Sequence, residues 1–411
     1  GKKEEGGDKG GDKLVYWSMW SEEEPQAKVI KEAVEKYTED TGVEVDVQFK
    51  GRNGQREGLE PALQAKQNID LFDEDVNRVN GSWGSYLMDL EDLAKDYEAE
   101  HGNETLFKLA RTLKSIPYQP SIFGFFYNKT LFAKAGIEAV PTTWAEFDAV
   151  CKKLVDAGIT PITGDTTYQT STLGYHLGRY LGQDGVKALV NDPACEDPDA
   201  VNWDDERVLK ALKDYEDFAA KGYFSDKMAS NVYPDGQNKE FAPGDAAIII
   251  CGSWLPNEIK GMIADDLEWG YFNYPAVEGG TDGAEANNIA NQVFAINKDS
   301  KKAKEAMELI TYITTGEFDK KMTEEALCIP TDKANADAWP AELAEVKPGF
   351  DSTTTYYDWA VGAENNADLT SAMQEGFVKL DRRRGAVVSL DIDKIQAIEE
   401  MRQNLDVVLA C

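Results

Sequence analysis

Two indoles and a carboxylate, Trp17, Trp20 and Glu22, crowd one short segment just after a predicted strand over 14–17. An indole face can stack on the C–H face of a pyranose, while carboxylates and amides hydrogen-bond hydroxyls in a pocket mostly closed to water. Trp17 serves equally well as a core residue, so Trp20 and Glu22 are the binding candidates of this loop. Arg52 and Asn53 occupy a second predicted loop, and the run Asp73-Glu74-Asp75-Val76-Asn77-Arg78 a third, where Asp75 is the candidate. A solvated charge cluster accounts for that third run as readily as a binding site does.

The elements that must position these loops alternate between strand and helix, which favours parallel sheets covered by helices. After the first strand, 25–37 reads as a helix stopped near Gly42, Val43 to Phe49 as an alternating strand, 59–66 as a helix and 69–72 as a strand. In such sheets ligands gather beyond the carboxyl ends of the strands, which is where the candidates fall. From Ile122 to Tyr127 aromatic and β-branched residues predict a buried strand, after which Asn128 to Thr130 can cap a short helix ending at Gly136. Thr143 and Glu146 form a capping pair for a second helix, whose apolar face is Trp144, Phe147, Val150, Leu154 and Val155.

Composition narrows the function classes. A chain of 411 residues with 42% apolar side chains can form two globular domains. With 43 basic and 75 acidic residues, the net charge of −32 repels nucleic acid and anionic lipid surfaces, and nucleic acid is excluded as a partner. Five widely spaced cysteines without a C-x-x-C pair, Cys151, Cys195, Cys251, Cys328 and Cys411, read as mostly buried small residues. Two histidines, His101 and His176, supply little for a metal site or a catalytic triad; no metal, cofactor or catalytic residue is assigned. P-loop, nucleophile-elbow and H-E-x-x-H motifs are absent from the sequence. Gly1 to Lys13 has no apolar residue and reads as a flexible tether. A polar Gly-rich leader of this kind also resembles the segment behind a lipidated cysteine, so an upstream export signal and lipid anchor are expected.

The stretch from Pro117 to Thr163, PYQPSIFGFFYNKTLFAKAGIEAVPTTWAEFDAVCKKLVDAGITPIT, resembles the core signature of bacterial extracellular solute-binding proteins of family 1. These are the carbohydrate receptors of ABC importers, to which maltose-binding protein is related. FAPGDAAIIICGSWLPNEI (241–259) and VFAINKDSKKAKEAMELITYITTGEF (293–318) are similar to two further signatures of that family. The resemblance implies an α/β, two-lobed periplasmic-binding-protein type II fold with a hinge and an interlobe cleft. Lobe 1 would comprise 14–120 plus 294–330, and lobe 2 121–293 plus 331–411. It implies ligand contacts at Asn77 and Arg78, at Gln119 and Ser121 in the hinge, and at Asp165 and Tyr168. Stacking platforms are implied at Trp254 and Trp359, with Tyr356 nearby, and amides at Asn288 and Asn291. The implied protein is a monomeric extracellular receptor, closing on an oligosaccharide and delivering it to a membrane permease. Two alternatives stand beside it: a polyamine or cation receptor on the same fold, and a glycoside hydrolase, which needs two carboxylates about 5 to 9.5 Å apart. No spacing in the chain selects such a carboxylate pair.

Overall fold

A computed structural model describes residues 12–191, 199, 201, 205–228, 230–232, 235–263 and 267–357. In chain order its principal elements are β1 (Leu14–Ser18), α1 (Pro25–Thr41), β2 (Val45–Phe49), α2 (Gly51–Gln64), β3 (Leu71–Asp75) and β4 (Ile116–Asn128). Next come α3 (Lys129–Lys134), α4 (Trp144–Asp156), β5 (Ile162–Thr163), α5 (Thr166–Asn191), α6 (Glu206–Ala220), β6 (Ile248–Gly252) and β7 (Trp269–Phe272). The last are β8 (Ala286–Ile296), α7 (Ala303–Thr314), α8 (Gly316–Ala326) and β9 (Thr355–Tyr357). The chain divides into two compact units, Gly1–Ser121 with Ala290–Lys347, and Ile122–Ile289 with Pro348–Cys411. β4 and β8 each begin in one unit and end in the other. No helix among the described residues is long and apolar enough to cross a membrane.

In the first unit β2, β1 and β3 run parallel, and β3 pairs antiparallel with β8, from Leu71 opposite Ile296 to Asp75 opposite Gln292. Both faces of this sheet are buried, as parallel strands require. Leu14, Tyr16, Leu71, Phe294 and Ile296 pack with α1, α7 and α8, while Val15, Trp17, Phe72, Val293 and Ala295 pack with Leu59 and Leu63 of α2. Two elements differ from the sequence reading. α2 starts at Gly51 and not near 59, because its glycines do not break it, so Arg52 and Asn53 lie in a first helical turn instead of a loop. β3 extends to Asp75, so Asp73 and Glu74 are buried strand residues. Residues 331–347, grouped with the second lobe in the sequence reading, belong to the first unit. The Asp319 carboxylate holds them there, accepting from the backbone N–H of Thr331 and of Asp332, both at 2.9 Å.

In the second unit the later half of β4 pairs antiparallel with both β6 and β7, β5 joins β6 in parallel, and β9 pairs with the start of β8. The predicted caps form. Asn128 Oδ1 accepts from Leu131 N at 3.0 Å, and Thr143 Oγ1 from Glu146 N at 3.1 Å. Glu146 returns its bond to Thr142 N rather than to Thr143, at 2.9 Å, and this backbone bond holds its carboxyl below the ordinary range. Trp144, Phe147, Phe218 and Tyr215 then form an aromatic layer, with Trp144 and Phe218 stacked at 4.3 Å. Within it His176 is fully buried, bonded to Asp214 at 2.7 Å and to the Tyr274 hydroxyl at 3.0 Å. Burial pulls the imidazole below its usual pKa against the attraction of Asp214. Cys151 and Cys251 are buried free thiols, pushed up in pKa by desolvation, and Cys328 is partly buried. Cys195 and Cys411 lie outside the described residues.

Candidate ligand-binding site

The strongest aromatic grouping among the candidates sits on the second unit. Trp254 follows the apolar strand β6, and its indole folds back over Gly252, which carries no side chain to obstruct it. Phe123 of β4 lies beneath, 6.1 Å from the indole and edge-on to Tyr168 at 4.9 Å, and Tyr168 is 6.4 Å from Trp254. Tyr168 is positioned by its backbone N–H, which donates to Asp165 Oδ1 at 2.9 Å, so Asp165 acts as the turn that starts α5. Asp165 is completely buried, while Tyr168 and Trp254 are half-buried. The indole Nε1 is shielded from solvent and has no hydrogen-bond partner. The grouping therefore presents the half-buried faces of Tyr168 and Trp254 and one unpartnered, shielded N–H, a combination suited to a ring with an apolar face and a polar edge.

Asn288 and Tyr356 take supporting positions on the same unit. Asn288 N donates to the Tyr175 hydroxyl at 2.7 Å, and its side-chain amide donates to Tyr357 O at 2.8 Å, which ties β8 to β9. Tyr175 in turn donates to Phe123 O. Tyr356 is half-buried opposite Asn287 in β9. Trp359 lies outside the described residues.

On the first unit Trp20 is buried, and its Nε1 donates to the Tyr118 hydroxyl at 2.9 Å. The Arg52 guanidinium sits over its ring at 5.1 Å and pairs with Glu24 at 3.1 Å. Trp17 is core, as its alternative reading had it, capped by Lys50 Nζ at 4.0 Å. The Trp17–Glu22 segment is anchored by Asp73, which accepts from Met19 N at 3.0 Å and from the Tyr16 hydroxyl. Burial, outweighing those bonds, pushes Asp73 up to about 7. Desolvation also raises Tyr16 and Tyr118 well above the ordinary phenol value.

Other sequence candidates on this unit scatter. Glu22 is exposed and 3.8 Å from Lys31, and Asn53 and Asn77 are exposed. Asp75 is partly buried and caps the turn after β3 through Asn77 N at 2.9 Å. Arg78 is half-buried with its Nε unpartnered, and Ser121 makes only a long bond to Ala290 O at 3.4 Å. Gln119 and Asn291 each keep a buried amide oxygen without a partner, and Gln119 adopts φ +47 immediately before Pro120. A non-glycine residue in that region is uncommon and marks a constrained point of the chain. The sequence reading missed Phe123 as a platform, Glu74 and Gln292 as further residues with unpartnered buried oxygens, and Asp73 as the anchor of the indole loop. An aromatic inside a strand and acids at a strand end carry no local pattern that separates these roles from packing.

The family described as "Bacterial extracellular solute-binding protein" matches residues 20–317, most of the chain. The chain belongs to that family. It is 26% identical over 230 residues to a binding protein of Brucella abortus (strain 2308), covering 54% of this chain and 51% of that one. It is 23% identical over 257 residues to the multiple sugar-binding protein of Streptococcus mutans serotype c, covering 62% and 59%. The matched region thus spans little more than half the length of these relatives. The solved structure of a chitin oligosaccharide binding protein superposes with a TM-score of 0.69 at 18% identity, over 97% of this chain and 99% of that one. The fold is the type II periplasmic solute-binding fold of the maltose-binding protein kind. The family comprises extracellular solute receptors and not enzymes, which sets the glycoside hydrolase reading aside.

Proposed function

We propose that this solute-binding protein is an oligosaccharide receptor of an ABC importer. It captures its ligand in a cleft between the two units by hinge closure and hands it to a membrane permease. The observation that carries the reading is the Trp254–Tyr168–Phe123 platform, with an indole N–H left open beside its ring faces. Names among the relatives, multiple sugar-binding and chitin oligosaccharide binding, support a carbohydrate ligand. The oligosaccharide class rests on those names, since Trp17 and Trp20 are buried and the remaining rings gather in one platform. Contacts from both units would favour the closed state, and affinity equals those contacts less the cost of closing.

The deciding experiment is a thermal-shift screen over plant, host and starch-type oligosaccharides, followed by small-angle scattering with the best hit, because a tight ligand stabilises the fold by mass action. A raised melting temperature with a smaller radius of gyration is expected. Unchanged dimensions at saturation argue against hinge closure. Tighter, salt-sensitive binding of spermidine than of any sugar replaces the reading with that of a cation receptor. Monomeric state and attachment through an upstream lipidated cysteine belong to the same proposal. Sedimentation of the purified chain and palmitate labelling of the full gene product test them.

A further inference from the structure

Among the described residues, three buried oxygen atoms on one face of the first unit's sheet have no partner: Glu74 Oε2, Gln55 Oε1 and Asn291 Oδ1. Their side chains are 0%, 0% and 2% exposed, so water does not satisfy them from bulk. The orientations are fixed by what the other atoms do. Gln55 Nε2 donates to Trp17 O at 3.2 Å and Asp73 O at 3.0 Å, and Asn291 Nδ2 donates to Gln292 O at 3.0 Å, so each amide oxygen is the atom left over. Glu74 Oε1 is occupied twice, by Asp75 N at 3.1 Å and Arg56 Nη2 at 3.3 Å, so Oε2 is the open one.

Strand register brings two of them together, and a helix contact adds the third. Glu74 stands opposite Val293 of β8, and Asn291 lies two residues along β8 on the same face, a diagonal neighbour of Glu74. Gln55 projects from α2, the helix that covers this face. Native interiors leave few polar groups unpaired, and a lone carboxylate oxygen is among the costliest to leave so.

We propose that Glu74, Gln55 and Asn291 form an acceptor-rich subsite for a sugar ring edge that donates hydrogen bonds, one that turns away anionic sugars. This rests on the oligosaccharide reading given above and narrows its ligand class. Arg78, four residues on in the chain, keeps one unpartnered donor, its Nε. A hydroxyl donates and accepts at once and suits both. A sugar carboxylate would face the Glu74 carboxylate across a desolvated gap, which like charges disfavour.

The test uses Glu74→Gln. Arg56 and Asp75 N both donate to Oε1, so the new amide must keep its oxygen there and place its NH2 where Oε2 stood, turning an acceptor into a donor. Calorimetric titrations of the full chain with cellotetraose, xylotetraose, maltotetraose, chitosan tetraose and tetragalacturonic acid are compared for both proteins. We expect the unaltered protein to bind a neutral or amino tetramer and not the galacturonate. E74Q should bind the preferred tetramer roughly tenfold to a hundredfold more weakly, with unchanged or higher melting temperature and relaxed exclusion of galacturonate. E74Q affinity within about twofold of the parent overturns this subsite alone and leaves the receptor reading intact. Tightest binding of galacturonate by the unaltered protein does the same. Binding of none of the five removes the oligosaccharide reading and the subsite with it. Should E74Q fail to fold, Asn291→Ala takes its place, with the same weakening expected and unaltered affinity overturning the proposal.

Discussion

The indole of Trp254 lies over the α-carbon of Gly252, where any side chain would overlap its six-membered ring. The glycine two residues before the tryptophan is thus a spatial requirement of the platform. Gly252→Ala should force the indole off Phe123 and weaken binding of the proposed ligand by about tenfold or more, at a stability cost of about 1 to 3 kcal/mol from overpacking. Paired calorimetry and urea denaturation check this. A variant that binds as the parent does would show that the indole position is irrelevant to the ligand.

Trp20 gives its N–H to the Tyr118 hydroxyl inside the first unit. Tyr118→Phe keeps the packing against Phe294, 4.6 Å away, but strands the buried indole donor. A loss of about 1 to 3 kcal/mol in unfolding free energy is expected, with binding changed less than by Trp254→Ala. Larger damage to binding than to stability would make Trp20 a direct ligand contact.

Asp73 carries a pH signature. Burial raises it from 3.8 to about 7, so the folded chain holds its proton more tightly than the unfolded chain. Between those values the native state binds more protons, and this contribution to stability is lost as pH rises through about 7. The parent should therefore lose about 2 to 4 kcal/mol relative to Asp73→Asn from pH 4 to 8, read by denaturation at each pH. Asp319, raised to about 6 by burial, acts in the same direction but is common to both proteins and cancels in the difference. A flat difference would mean that Asp73 titrates normally.

Local chemistry made much of this molecule legible in its sequence. The caps at Asn128 and Thr143, the buried run of β6 and the apolar face of α4, apart from Val155, which is exposed, follow from propensity and periodicity alone. In the candidate site, the packing of an indole over a glycine was legible at Trp254, whose contact with a ligand stands as a proposal. The site was illegible where the use depends on partners distant in sequence. Trp20 reads as a free stacking ring until Tyr118, 98 positions away, takes its N–H. Asp73, Glu74 and Asp75 read as one acidic loop until β3 continues through them and sends alternate side chains to opposite faces. Pairing register is a tertiary fact, and no window of a few residues contains it.

Arg179 offers the sharpest test of how the second unit holds its surface in place. It is fully buried, yet among the described residues its guanidinium meets no carboxylate directly. It donates to the carbonyls of Tyr274 at 2.8 Å, Pro275 at 3.1 Å and Ala286 at 2.8 Å, and to the Tyr357 hydroxyl at 3.3 Å, which itself donates to Asp282. The rings of Tyr175, Tyr274 and Tyr357 surround it at 5.4 to 5.7 Å. A planar fork can satisfy three carbonyls from two segments at once, whereas an ammonium cannot reach them together. Arg179→Lys should therefore cost about 3 to 5 kcal/mol, as breaking a buried charged network does. Hydrogen exchange should rise first at Asn288, whose N–H and amide join the Tyr175 hydroxyl and Tyr357 O. If lysine were tolerated with unchanged exchange there, the cation alone would suffice, and the fork geometry would have no part in holding β8 to β9.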